Sequence, residues 1–147
     1  MELTSTAFKS DAAIPAEHSY HGANLSPPLA IAGVPEGTAS LAPICDDPDA
    51  PRGTWFHWVA WNLDPKTAQI AKGKLPTGAV LGNNSWGKPE WCGPAPPSGT
   101  HHYVFKLYAL KEKLTLKSGS DAKALEAAMQ GKILAETKLV GTFAAGR

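Results

Sequence analysis

The chain has 147 residues, 43% of them apolar and 18% charged, and carries a formal net charge of +1. That length suits one domain with a substantial core, and the composition is too apolar for a disordered chain. The near-neutral balance supplies no field that would gather nucleic acid or an anionic membrane, so any charge recognition must be built locally. Residues 1–16 lack a basic stretch followed by an apolar one, so no secretory signal is expected. Apolar runs of only a few residues exclude a membrane-inserted helix. Cys45 and Cys92 are then expected as thiols in a cytoplasmic protein.

Strand candidates appear first at residues 3–8 and 29–32. Between them runs the turn-rich His21-Gly22-Ala23-Asn24-Leu25-Ser26-Pro27-Pro28, where successive prolines demand extended backbone. Residues 39–45 form an unbroken apolar run ending at Asp46-Asp47-Pro48-Asp49-Ala50-Pro51, which suits a buried strand entering a proline-fixed turn. Residues 56–62, aromatic and β-branched, predict another strand. From 64 to 100 Gly and Pro recur at short intervals and only 79–81 reads as strand; so long an irregular stretch in a compact domain points to function. Residues 102–110 are the strongest strand in the chain. Ser120 as N-cap, Asp121 in the first turn, Leu125, Ala128 and Met129 on one face, and Gly131 at the end predict a single helix near 121–131. Beyond it Ile133, Ala135, Leu139 and Phe143 share one parity, which predicts a final strand. The sum is a mainly β, sandwich-like fold of two antiparallel sheets, one domain over 1–147.

Three segments place titratable groups at the ends of apolar strands. Asp47 and Asp49 lie in a turn stiffened by Pro48 and Pro51, and Ala50–Pro51 is a candidate cis peptide. His57 falls on the parity of Val59 and Trp61 within an aromatic strand. Gly93-Pro94-Ala95-Pro96-Pro97-Ser98-Gly99-Thr100 runs into His101-His102-Tyr103, where His101, Tyr103 and Phe105 share a face beside a rigid Pro96-Pro97 wall. Singly, these read as an acidic surface turn, a core histidine and a loop shielding an edge strand; together they are harder to set aside.

The set Asp47-Pro48-Asp49-Ala50-Pro51, His57-Trp58-Val59-Ala60-Trp61-Asn62 and Pro96-Pro97-Ser98-Gly99-Thr100-His101-His102-Tyr103-Val104-Phe105 resembles the phosphatidylethanolamine-binding protein family. The closest likeness is to its bacterial and archaeal Raf kinase inhibitor-like branch. Asn24-Leu25-Ser26-Pro27-Pro28-Leu29 and Leu139-Val140-Gly141-Thr142-Phe143 extend the resemblance over nearly the whole chain. The resemblance implies a small anion pocket lined by Asp47, His57, His101 and Tyr103, with Asp49, Gly93, Pro96 and Pro97 shaping its wall. It also admits a kinase or protease partner and a homodimer. Two departures stand out: His102 replaces the family's usual Arg, and Trp91-Cys92 occupies a place that commonly reads Tyr-Gly.

Two imidazoles and a phenol can together donate to one tetrahedral oxyanion, and charge-assisted bonds are the stronger kind. Asp47 then either accepts from a histidine N–H, holding an imidazolium, or meets a ligand's ammonium. The expected function is non-catalytic binding of a small anion or phosphorylated ligand, with no cofactor. The competing readings are an inhibitor or interaction module acting through a surface loop, for which residues 72–87 are long enough, and an enzyme with a His57, His101 and Asp47 metal site. Neither Ser98, Cys45 nor Cys92 stands in a recognisable nucleophile motif.

Overall fold

A computed structural model describes residues 1–146; Arg147, the last residue of the expected domain, lies outside the described residues. Eight strands among the described residues form two antiparallel sheets. In chain order they are β1 (Glu2–Thr4), β2 (Leu29–Ala32), β3 (Ser40–Asp47), β4 (Trp55–Trp61), β5 (Gln69–Ile70), β6 (Val80–Leu81), β7 (Thr100–Leu110) and β8 (Ile133–Ala144). One α-helix, α1 (Ala122–Met129), joins β7 to β8, and a short 3-10 turn occupies Ala16–His18. The small sheet is ordered β1-β2-β5 and the large one β6-β4-β3-β7-β8.

All eight residues of β3 are buried, as expected of a central strand covered on both faces. On one face Leu41 and Cys45, with Trp58, Phe105 and Leu107, meet Leu3, Leu29, Ile31 and Ile70 of the small sheet. On the other, Ala42, Ile44, Val59 and Trp61 pack under Leu125 and Met129 of α1. The expected two-sheet, helix-flanked fold is what the chain adopts. Both cysteines are buried thiols. Among the described residues no helix is long and apolar enough to cross a membrane.

Local expectations shift for identifiable reasons. The first strand ends at Thr4 rather than at 8, although Phe8 still packs in the core. Asp121, not Ser120, caps α1: its carboxylate accepts from the Ala124 amide at 2.9 Å, while the Ser120 hydroxyl donates to Lys117 O at 2.7 Å. The parity of β8 holds for Leu139 and Phe143, but a register shift between Ala109 and Leu110 leaves Ile133 42% exposed. The short β5 went unsignalled in the irregular 64–100 stretch. Among the described residues every peptide bond is trans, Ala50–Pro51 included. The turn closes without isomerisation, through Asp49 N–H to Asp47 Oδ1 at 2.8 Å and Gly53 N–H to Ala50 O at 3.2 Å.

Candidate functional site

Because β3 runs antiparallel to both neighbours, its C-terminal end lies beside the starts of β4 and β7. Asp47 at the end of β3, Trp55 and His57 at the start of β4, and His101 and Tyr103 at the start of β7 converge there. With Ala50, Pro51, Arg52 and Gly53 of the turn, Trp86, Ala95 and Pro97, they line a cavity of about 260 Å³. Asp49, Gly93 and Pro96, expected in the wall, are not among its lining residues.

His57 reaches this cavity through a defect in the ladder. Cys45 pairs with Trp58 and Asp46 with Phe56, so His57 is an extra residue opposite the Cys45–Asp46 step. Such a β-bulge reverses the alternation locally. Strict parity would send His57 with Val59 and Trp61 toward the helix-covered face. Instead its ring meets Tyr103 edge-on, with centroids 5.2 Å apart.

His101 Nδ1–H donates to Asp47 Oδ2 at 2.6 Å, and Asp47 Oδ1 accepts from the Asp49 amide at 2.8 Å. The carboxylate is thereby committed to orienting His101, the first of the two uses expected for it. His57, Asp47 and His101 do not form a metal-ligand cluster, and no group of three such ligands occurs among the described residues.

His57 Nδ1 lies 2.6 Å from the Cys92 carbonyl. A carbonyl only accepts, so the ring proton sits on Nδ1. Burial lowers the His57 pKa to about 4, against the upward pull of the Cys92 carbonyl and the Asp47 carboxylate. The expected pair of cationic imidazoles is therefore corrected: His57 is neutral near pH 7. Tyr103 is fully buried, and its hydroxyl lies within reach of the Ala95 backbone and the Asp47 carboxylate. Burial first, and the nearby Asp47 carboxylate second, push its phenol far up.

The residues misassigned to the wall have other work. Gly93 lies against the N-terminal segment, where a Cβ would come within 2.0 Å of His18 O; its amide donates to Asn24 Oδ1 at 2.7 Å. Asp49 is at the surface, with both the His102 amide and His102 Nδ1 on its Oδ2 at 2.8 and 2.7 Å. Those hydrogen bonds hold the Asp49 carboxyl below its usual range. His102 thus ties the acidic turn to β7. Trp91 lies within the core, stacked on Phe105 and edge-on to Trp58.

Arg52, Trp55, Trp86 and Ala95 also line the cavity, beyond the site residues expected from the sequence, and the setting of Trp86 is the most elaborate. Buried Asn84 organises its loop, accepting from the Trp86 and Lys88 amides at 2.9 and 3.1 Å and donating to Glu90 O at 2.8 Å. The indole is held between Tyr20, stacked at 5.5 Å, and the edges of Trp55 and His57 at 5.4 and 5.0 Å. An Asn followed by Ser-Trp-Gly is a turn signal that could have marked the loop as ordered.

Residues 4–144 match the model of a family described as phosphatidylethanolamine-binding protein. A UPF0098 protein of Methanothermobacter thermautotrophicus is 43% identical over 99% of this chain and all of its own length. One from Chlamydia muridarum is 40% identical over 97% of this chain and 98% of its own. Among solved structures, a phosphatidylethanolamine-binding protein homologue of Chlamydia trachomatis superposes with a TM-score of 0.91 at 39% identity, covering 96% of this chain and 95% of that one. Escherichia coli YbcL, described as a new member of the mammalian family, also gives 0.91, at 33% identity with 97% of each chain covered.

Proposed function

The chain belongs to the phosphatidylethanolamine-binding protein family, and from that premise we propose that it is a non-catalytic receptor for a phosphoryl group presented in the Asp47/His101/Tyr103 cavity. The observation that carries this reading is the buried His101–Asp47 pair at the cavity, joined at 2.6 Å. Donors on three side chains line the same space. The Tyr103 phenol can donate to a ligand oxygen. The Arg52 guanidinium only donates. His101, held by Asp47 through Nδ1, turns Nε2 into a donor when it carries its second proton, and the carboxylate supplies the counter-charge.

Binding is favoured over catalysis because no activated nucleophile faces the dyad. Cys45 and Cys92 are buried, and burial raises both thiols. Ser98 is exposed and is not among the lining residues.

Calorimetric titration with inorganic phosphate tests the proposal. Saturable one-site binding is expected, weakened about tenfold or more when Tyr103→Phe and Arg52→Ala are combined. Absence of binding, or binding indifferent to both substitutions, would refute it.

A further inference from the structure

We infer that Tyr20, which does not line the cavity, is a positioning residue that holds the Trp86 wall of the cavity in place. Its effect on affinity rests on the phosphoryl-binding reading above; its effect on the indole does not. The backbone under Trp86 is fixed by its own loop. Asn84 Oδ1 accepts from the Trp86 and Lys88 amides, the Ser85 amide donates to Phe56 O at 2.8 Å, and the Gly87 amide donates to Asn84 O at 2.9 Å. None of these bonds reaches the indole, so its side-chain rotamer is set by the rings around it. Trp55 and His57, both in the cavity lining, meet it near-perpendicularly, at 83° and 77°. Tyr20 covers it by stacking, with the two rings 5.5 Å apart and inclined at 18°. Such a pair is worth more than the area it buries.

Tyr20 is itself presented by a turn closed on both sides. The Ser19 amide and hydroxyl both donate to Ala16 O, at 3.0 and 2.7 Å, and the Gly22 amide donates to Ser19 O at 3.1 Å. Gly22 permits this turn, since a Cβ there would run into Ala16 O. Next to it, Trp91 Nε1–H donates to His18 O at 3.2 Å and the Gly93 amide donates to Asn24 Oδ1 at 2.7 Å. The Tyr20 amide donates to Pro94 O at 3.0 Å, one residue before Ala95, which lines the cavity together with Pro97. One residue therefore braces two walls: its ring holds Trp86, and its amide holds the segment that carries Ala95 and Pro97. A ligand that fits the walled cavity binds in proportion to the fraction of molecules whose indole is in place. Without the Tyr20 ring the indole is free to turn away, and the worth of one aromatic pair limits the loss of affinity to about tenfold.

The test compares Tyr20→Ala, Tyr20→Leu and Tyr20→Phe with the wild type. Indole N–H resonances of ¹⁵N-labelled protein are read without ligand, that of Trp86 being assigned by its absence from Trp86→Phe. In Tyr20→Ala and Tyr20→Leu the Trp86 resonance is expected to move as the stacked ring is lost, while those of the buried Trp58, Trp61 and Trp91 stay in place. Calorimetry with inorganic phosphate is expected to show affinity about threefold to tenfold weaker in both variants. Tyr20→Phe keeps the ring, and both its Trp86 resonance and its affinity are expected close to the wild type, a rescue that general loss of stability would not produce. Should Tyr20→Ala not fold, Tyr20→Leu retains apolar bulk without the stack and carries the comparison. An unmoved Trp86 resonance in Tyr20→Leu, wild-type affinity in that variant, or a Tyr20→Phe that behaves like it, overturns the role of Tyr20 and leaves phosphoryl binding intact. Failure of the wild type to take up phosphate overturns the phosphoryl-binding reading instead, while the Trp86 resonance still decides for or against Tyr20.

Discussion

Cys92 and His57 are joined twice: the Cys92 amide donates to the His57 carbonyl at 3.1 Å, and His57 Nδ1–H donates to the Cys92 carbonyl at 2.6 Å. The first bond continues β4 pairing into an otherwise irregular segment. The second fixes a tautomer. The double link couples the loop leading to the proline wall to the bulged residue of the sheet, so neither can shift without the other. It also explains why this imidazole is buried without a counter-ion in direct contact: one hydrogen bond satisfies the donor of its neutral form.

Stability is expected to fall on acidification because of His57. Its folded pKa, about 4, lies below the unfolded value of about 6.5, so between these the unfolded chain binds more protons. The contribution is complete above pH 6.5 and is lost as pH falls toward 4, amounting to about 3 kcal/mol. Urea unfolding of wild type and His57→Phe at pH 7 and pH 4 measures it; the wild type should lose about that much more than the variant.

Tyr103→Phe is expected to separate stability from binding. Removing the hydroxyl keeps the ring in the core and takes one donor from the cavity, so apo stability should change by no more than about 1.5 kcal/mol while phosphate affinity falls about fivefold to tenfold. Thermal unfolding without and with phosphate reads both effects.

Asp47→Asn keeps the size of the side chain and removes its charge. The buried partner of His101 is then neutral, and a charge-assisted bond is lost at a cost of about 2 kcal/mol. Phosphate affinity is expected to drop about tenfold, because His101 loses the carboxylate that holds its Nδ1–H. Calorimetry of both proteins under one buffer condition checks this.

Gly93→Ala tests a structural assignment. The added methyl would meet the His18 carbonyl at 2.0 Å, a backbone atom that cannot rotate away. A loss of about 3 kcal/mol is expected in denaturant unfolding. The phosphate affinity of the folded fraction should change less than threefold, since Gly93 does not line the cavity.

Regular alternation carried most of what the sequence reveals. His101, Tyr103 and Phe105 keep period 2 along an unbroken β7, so their common face was readable, as was the acidic turn closing β3. The face of His57 was not, because parity cannot report a bulge that depends on how two distant strands register. Trp86 was hidden for another reason: its position is set by the side chain of Asn84 and by ring contacts with residues far away in sequence, and no periodicity encodes either. Gly93 and Pro96 were expected in the wall only through the family resemblance. Gly93 instead packs on the His18 backbone, beside the Tyr20 amide that donates to Pro94 O at 3.0 Å.

The irregular step at His57 gives the site an unusual genetic fragility. Loss of His57 alone would restore regular strand pairing and leave Phe56 and Trp58 on their present faces. Such a shortened protein would keep the scaffold but lose both links to Cys92, and no imidazole from β4 would look into the cavity. Relatives that lack a residue at this point should therefore be compared with this chain for their fold and not for their site, however high their overall identity.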